Sequence, residues 1–130
     1  MILILGGTGA GKSTAIQYLC GSIMHRTSAI CAGGIVEFIG VKEYNSEMVE
    51  ISEIQDVKIG PDAVSCTSYI KVIHVRNDGE DIFLVDTPGL KDTRGCEVDT
   101  ANILGVIKAS LKCESILPVL ILSSNIGDRG

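Results

Sequence analysis

The sequence predicts an α/β fold whose sheet has parallel members. Three continuous apolar runs, Met1–Leu5, Ile82–Val85 and Ile116–Leu122, are typical of strands that are buried on both faces. Apolar residues recur at helical spacing over residues 12–20 and 97–112, which lie between those runs. Because strands that alternate with helices usually pair in parallel, these observations together predict a parallel core.

The first two elements are a strand and a helix joined by a glycine-rich segment. The run Met1–Leu5 enters this segment, and the helix begins at Lys12 and is expected to stop at Gly21. The apolar face predicted for this helix consists of Ala15, Ile16, Leu19 and Cys20.

Residues 21–60 do not show one clear pattern. Glycines interrupt the segment, and Ile35–Val41 could form a strand. Four glutamates at helix-like spacing favour a solvated helix face over an acidic docking face; they are Glu43, Glu47, Glu50 and Glu53. The neighbouring apolar residues also fit strand alternation, so the type of element stays open.

The last part of the chain predicts a hairpin, a helix and a strand. Tyr69–Arg76 and Ile82–Val85 flank Asn77-Asp78-Gly79, a sequence that tolerates positive φ in a tight turn. The inward side of the following helix is expected to contain Ala101, Leu104, Val106, Ile107 and Leu111. Pro118 has no backbone N–H, which suits an early or edge position in the final strand.

The composition excludes several classes of protein. The length of 130 residues suits one domain, and a hydrophobic content of 45% excludes a disordered chain. A net charge of −5 argues against a nucleic-acid partner, and no apolar run approaches the ~20 residues of a transmembrane helix. The first run is also too short for a signal peptide. Five cysteines without a C-x-x-C pair predict reduced thiols and a cytoplasmic protein.

A phosphate-binding loop is the strongest functional signal. The pattern G-x-x-x-x-G-K-[ST] is matched by Gly6, Gly7, Thr8, Gly9, Ala10, Gly11, Lys12 and Ser13. Glycines allow backbone N–H groups to surround a phosphate, and the helix that follows directs its positive end at the anion. Lys12 would neutralise the β- and γ-phosphates, Ser13 would offer its hydroxyl to Mg²⁺, and Thr14 would complete the nucleotide contacts.

A second phosphate-sensing segment follows the strand Ile82–Val85. Asp86 stands at the carboxyl end of that strand, where an acid can reach the Mg²⁺ shell, and Gly89 allows close backbone approach to the γ-phosphate. Thr67 precedes the hairpin and could place its hydroxyl on Mg²⁺ and its N–H on the γ-phosphate. The metal ligands predicted are therefore Ser13, Thr67 and Asp86.

Together these motifs resemble a P-loop GTPase of the translation-factor-like class. The run Asp86–Leu90 is similar to the Asp-Thr-Pro-Gly-Leu of septin, immunity-associated (AIG-type) and chloroplast-import-receptor GTPases, and residues 86–95 are similar to G-domain segments of large protist proteins. The resemblance implies a P-loop NTPase fold of the three-layer α/β/α type, with residues 1–130 as a G domain that is incomplete at its C-terminus. It implies bound GTP or GDP with Mg²⁺, and a catalytic role for Lys12 and Thr67.

The chain also departs from that family. Leu90 stands where many small GTPases have a water-positioning Gln, which predicts slow or partner-assisted hydrolysis. Asn125 and Asp128 have the spacing of the guanine-reading motif, but its Lys is missing. The expected function is a GTP-binding switch, with a homodimer across the nucleotide face or an activating protein as partner. The alternatives are an assembly module without turnover and an ATP-binding protein.

Overall fold

A computed structural model describes residues 1–60, 69–88 and 96–123 of the chain. Within these residues there are six strands and three helices. They are β1 (Ile2–Gly6), α1 (Lys12–Leu19), β2 (Ile23–Cys31), β3 (Gly34–Glu43), α2 (Ile51–Ile54), β4 (Lys71–Asn77), β5 (Glu80–Asp86), α3 (Cys96–Ser110) and β6 (Leu117–Ile121). The strands and helices predicted outside residues 21–60 are confirmed, with bounds that shift by two residues at most.

The strands form two separate sheets. The larger sheet has the order β4-β5-β1-β6, in which β1 is parallel to both of its neighbours and β4 is antiparallel to β5. The predicted hairpin is therefore confirmed as β4 and β5, and its turn has positive φ at Asp78 and Gly79. The smaller sheet pairs β2 with β3 in antiparallel fashion.

The prediction of a P-loop NTPase fold in three layers with a mostly parallel sheet is wrong. The structure is a small mixed α/β fold in which parallel and antiparallel pairs occur together. The segment between α1 and α2, which gave no clear pattern, forms an antiparallel ribbon of its own instead of further strand–helix units. Pairing between two strands depends on contacts across the sheet, which the periodicity of one segment does not reveal.

One face of the larger sheet carries the core. Helices α1 and α2 and the turns beside α2 cover it, and its buried residues are Ile4, Ile16, Cys20, Val49, Ile54, Val57, Ile73, Val75 and Leu84. Ile16 in α1 and Cys20 at its C-cap are buried and one turn apart, as expected of a helix that packs on a sheet. Leu19 was predicted on this face but is 48% exposed, because it lies at the margin of the stripe.

Among the described residues, no complete helical layer covers the opposite face of the sheet. Leu3 and Val85 are buried there, whereas Val72, Phe83 and Leu120 are all more than two-fifths exposed. The predicted inward residues Leu104 and Ile107 of α3 are exposed as well, and so is Leu111 just after its end. The prediction that these three side chains face inward is wrong, whereas Val106 is half-buried. No helix among the described residues is long and apolar enough to cross a membrane.

The ribbon of β2 and β3 extends with little cover. At its tip Ile30 pairs with Ile35, and their side chains are 89% and 76% exposed. The row of glutamates does not form one helix face, since Glu43 ends β3 and Glu53 lies in the short α2. All four glutamates are exposed to solvent, as was favoured.

The two outer edges of the larger sheet differ. At β4 the edge is partly covered, because Val49 forms a bridge with Val75 and the Arg76 N–H donates to the Met48 carbonyl. At β6 the Leu117 N–H donates inward to the Met1 carbonyl, so the backbone nitrogen of Pro118 faces outward. The prediction that Pro118 lies at an edge is confirmed.

Candidate functional site

The glycine-rich loop connects the carboxyl end of β1 to the first turn of α1. Gly9 and Gly11 have φ values of 75° and 93°, in the left-handed region that side chains disfavour. At Gly6 an added Cβ would lie 2.5 Å from the Ile121 carbonyl oxygen, so β6 approaches the loop too closely for any other residue. The glycines thus fix the shape of the loop, which leads directly into the N-terminus of α1.

Lys12 is buried at the base of this loop. Its side chain is 6% exposed, and its Nζ donates to the carbonyl oxygens of Gly6 at 3.1 Å and Gly7 at 3.0 Å. Burial lowers the pKa of Lys12 below its usual 10.5, and the nearby Asp86 charge acts in the opposite direction. The loop therefore holds a cationic group in contact with its own backbone, where an anionic ligand would meet it.

Ser13, in the first turn of α1, lies close to Asp86 at the end of β5. The Ser13 hydroxyl donates to Asp86 Oδ2 at 3.4 Å, at the long end of the hydrogen-bond range. Asp86 is completely buried at the last position of β5, level with Ile4 of β1. Because β1 and β5 are parallel, both strands bring their carboxyl ends, and hence these two groups, to one edge of the sheet.

A hydroxyl and a carboxylate together fit a magnesium ion. Both are hard oxygen donors, and Mg²⁺ is commonly held by one or two carboxylates, with waters and substrate phosphates as its other ligands. The described residues contain no group of three or more His, Cys, Asp or Glu side chains arranged for a metal.

The threonines near the loop add further polar groups. Thr8 Oγ1 is buried in the loop without a hydrogen-bond partner, although a bound oxyanion could accept from it. Thr14 is half-buried in α1. Thr87 is 5% exposed, and its hydroxyl donates to the Ile4 carbonyl at 2.7 Å. The unpartnered hydroxyl of Thr8 is a donor that an anion, such as a phosphate, would fit.

The structure brings part of the predicted site together. Lys12, Ser13 and Asp86 meet at one edge of the sheet. Thr67 and Gly89 lie outside the described residues, and their roles stay predictions. Leu90, Asn125 and Asp128 also lie outside the described residues.

Two buried polar residues, one at the site and one elsewhere in α1, are not among the predicted residues. Thr87 belongs to the same motif as Asp86, and its place after a wholly apolar strand was the available signal. Gln17 is fully buried between Ile16 and the end of α1, and its Nε2 donates to the carbonyls of Ile54 at 3.0 Å and Val57 at 2.8 Å. Its signal was a polar residue within the apolar stripe of a helix.

The described residues also line an apolar pocket at the other end of the sheet. Its volume is about 170 Å³, and its lining is Ile2, Leu19, Met48, Val75, Asn77, Ile82 and Leu84. It shares no residue with the loop, so it belongs to a different part of the molecule.

Comparison with known proteins gave no match to a protein-family model, to a curated protein or to a solved structure. The function of the loop and its neighbours therefore has to follow from their chemistry.

Proposed function

We propose that this chain binds a nucleoside triphosphate together with Mg²⁺ at the loop Gly6–Ser13, with GTP as the expected nucleotide, and acts as a nucleotide-dependent switch. The observation that supports this best is a buried Lys12 ammonium beside a Ser13–Asp86 pair, at the carboxyl ends of two adjacent parallel strands. A lysine that is merely structural would more commonly extend its ammonium into water.

The loop and the helix provide the anion-binding part of the proposed site. Backbone N–H groups at the start of α1 have no partner within the helix, and the helix dipole favours negative charge there. Lys12 would exchange its contacts with the Gly6 and Gly7 carbonyls for a charge-assisted contact with a phosphate. The hydroxyl of Thr8 would donate to the same anion.

Ser13 and Asp86 provide the metal-binding part of the proposed site. When bound, Mg²⁺ would neutralise negative charge on the phosphates. The Ser13 hydroxyl would turn from Asp86 toward the ion, and the Asp86 carboxylate would hold it directly or through water. Thr67 and Gly89 are proposed to join them on the strength of their motifs alone.

The proposed preference for GTP depends on the Asp-Thr-Pro-Gly-Leu motif. Leu90 in place of a Gln supports slow hydrolysis, and an activating protein or a second copy across the nucleotide face would then accelerate it. An ATP-binding protein would use the same loop, so only measurement separates the two nucleotides.

The first experiment measures nucleotide affinity by calorimetry, with GTP, GDP and ATP in the presence of Mg²⁺. We expect Lys12→Ala to weaken triphosphate binding about a hundredfold, the loss of roughly 2.7 kcal/mol from one charge-assisted contact. Lys112→Ala removes an equal charge from an exposed position and is the matched control. Unchanged affinity in Lys12→Ala would contradict the proposal.

A second experiment measures phosphate release over many turnovers. Continued release would support a GTPase, whereas release of no more than one equivalent would support an assembly module that only holds its nucleotide. Equal binding of ATP and GTP would exclude a guanine switch.

A further inference from the structure

We infer that Thr87 is a positioning residue that holds the Asp86 carboxylate in place for Mg²⁺. The inference depends on the proposed function and deepens it, because it assigns a task to a residue that the motif does not assign. It starts from one hydrogen bond between the end of β5 and the backbone of β1.

The anchor lies directly beside the proposed metal ligand. Ile4 and Asp86 form the last pair in the register between β1 and β5. Thr87 follows that pair, and its hydroxyl donates to the carbonyl of the same Ile4 at 2.7 Å. Both Asp86 and Thr87 are buried, so water does not compete for this hydrogen bond.

The next residue explains why an anchor is needed at this point. Pro88 has no N–H and cannot extend the ladder, so the strand pairing ends here. A strand end without a further anchor would open locally and move the side chain that projects from it. The Thr87 hydroxyl replaces the missing ladder contact and fixes the backbone from which the Asp86 carboxylate projects.

The position of that carboxylate matters more for Mg²⁺ than for other cations. Magnesium demands near-ideal octahedral geometry, and residues that orient metal ligands change metal affinity by ~10–100-fold when they are replaced. Loss of the Thr87 hydroxyl should therefore weaken the magnesium-dependent part of nucleotide binding. The contribution of the loop and Lys12 to nucleotide affinity should stay unchanged.

The test compares Thr87→Val, which keeps the shape and removes the donor, with Thr87→Ser, which keeps the hydroxyl. GTP affinity is measured over a Mg²⁺ titration and again in excess EDTA, and the stability of each ligand-free protein is measured by urea unfolding. We expect Thr87→Val to shift the Mg²⁺ midpoint about tenfold upward, with the affinity in EDTA unchanged. Thr87→Ser should restore the wild-type midpoint.

A purely structural role predicts a different result. The hydrogen bond would then change the urea midpoint of Thr87→Val and leave its Mg²⁺ midpoint at the wild-type value, which would overturn the inference. If Thr87→Val does not fold, Thr87→Cys provides a weaker donor of similar size, and a wild-type Mg²⁺ midpoint in that variant would overturn it equally. Wild-type protein that binds no nucleotide would overturn the proposed function as well, which distinguishes the two failures.

Discussion

Lys12 is the residue whose protonation depends most directly on what the loop contains. Its ammonium is buried, and the free protein offers it two carbonyl oxygens and the charge of Asp86. Burial outweighs that charge, so the pKa of Lys12 lies below the ordinary 10.5. A polyanion in the loop would add negative charge beside the amine and raise this pKa.

The lowered pKa predicts how stability depends on pH. Between the folded pKa of Lys12 and 10.5 the unfolded chain binds more protons, so Lys12 makes the ligand-free protein more stable as pH rises through that window. The Cys20 thiol acts oppositely, because burial raises its pKa from 9.0 to about 11. The free energy of unfolding is measured in urea at several pH values for wild type and for Lys12→Met. Because both proteins contain Cys20, its contribution cancels when the two free energies are subtracted. A difference that does not change with pH would contradict this prediction.

Gln17 connects α1 to the turn after α2 through buried hydrogen bonds. Its amide donates to two backbone carbonyls, and the Ser22 hydroxyl donates to its Oε1 at 2.8 Å. Both polar atoms of the Gln17 side chain, Nε2 and Oε1, therefore have hydrogen-bond partners. These hydrogen bonds hold the helix that begins at the glycine-rich loop.

Replacement of Gln17 should therefore lower the free energy of unfolding more than an ordinary surface substitution does. We expect Gln17→Leu to lower the free energy of unfolding by about 2–4 kcal/mol, because two buried carbonyls lose their donor, and Ser22→Ala to lower it by about 1 kcal/mol. Gln55→Leu, at an exposed position, is the control and should change it by less than about 0.5 kcal/mol. Urea unfolding measures all three, and equal effects of Gln17→Leu and Gln55→Leu would contradict the prediction.

At the scale of elements, the outer edge of β6 favours self-association, and one residue opposes it. An edge strand offers unpaired N–H and C=O groups to another chain, and exposed Leu117 and Leu120 make this edge attractive to apolar partners. Pro118 removes an outward donor near the start of the strand. An incoming strand therefore finds an interrupted ladder.

Pro118→Val should restore that donor and promote self-association. We expect the apparent mass of this variant, measured by sedimentation over a concentration series, to rise above that of wild type. Pro118→Lys restores the same N–H but adds a charge that opposes edge pairing, so it should stay closer to wild type. Identical behaviour of Pro118→Val and wild type would show that the proline does not protect the edge.

At the scale of the whole molecule, the two sheets differ in how much of their surface is buried. The larger sheet holds the buried core, whereas the ribbon of β2 and β3 is largely exposed along both strands. A two-stranded ribbon is marginally stable when nothing packs on it. The ribbon should therefore open without unfolding the sheet that carries the site.

Hydrogen exchange can test this difference. We expect backbone amides of β2 and β3 to exchange faster than those of β1 and β5, which open only with the core. Equal protection in both sheets would contradict the prediction, and would mean that the ribbon and the larger sheet unfold as one unit.

The sequence could predict the features that depend on local patterns, but not those that depend on contacts between distant segments. The unit of β1, loop and α1 was predictable because an apolar run, a glycine motif and a helical stripe are local patterns. The closeness of Ser13 to Asp86 was also predictable, since parallel strands end at the same edge. The ribbon was not, because residues 23–31 carry no strong alternation and their pairing with β3 arises across the sheet. The exposed side of α3 was missed because helical periodicity shows which residues share a face, and not whether anything covers that face.

The central place of β1 in the sheet has a consequence for how the chain folds. Ile2 pairs with Leu84 on one side and with Leu117 on the other, so both partners of the strand are far away in sequence. On a ribosome the strand that leads into the glycine-rich loop is made before either partner exists. Contacts of such long sequence separation form slowly. The apolar strand Ile2–Gly6 therefore stays unpaired longer than the later strands of the larger sheet.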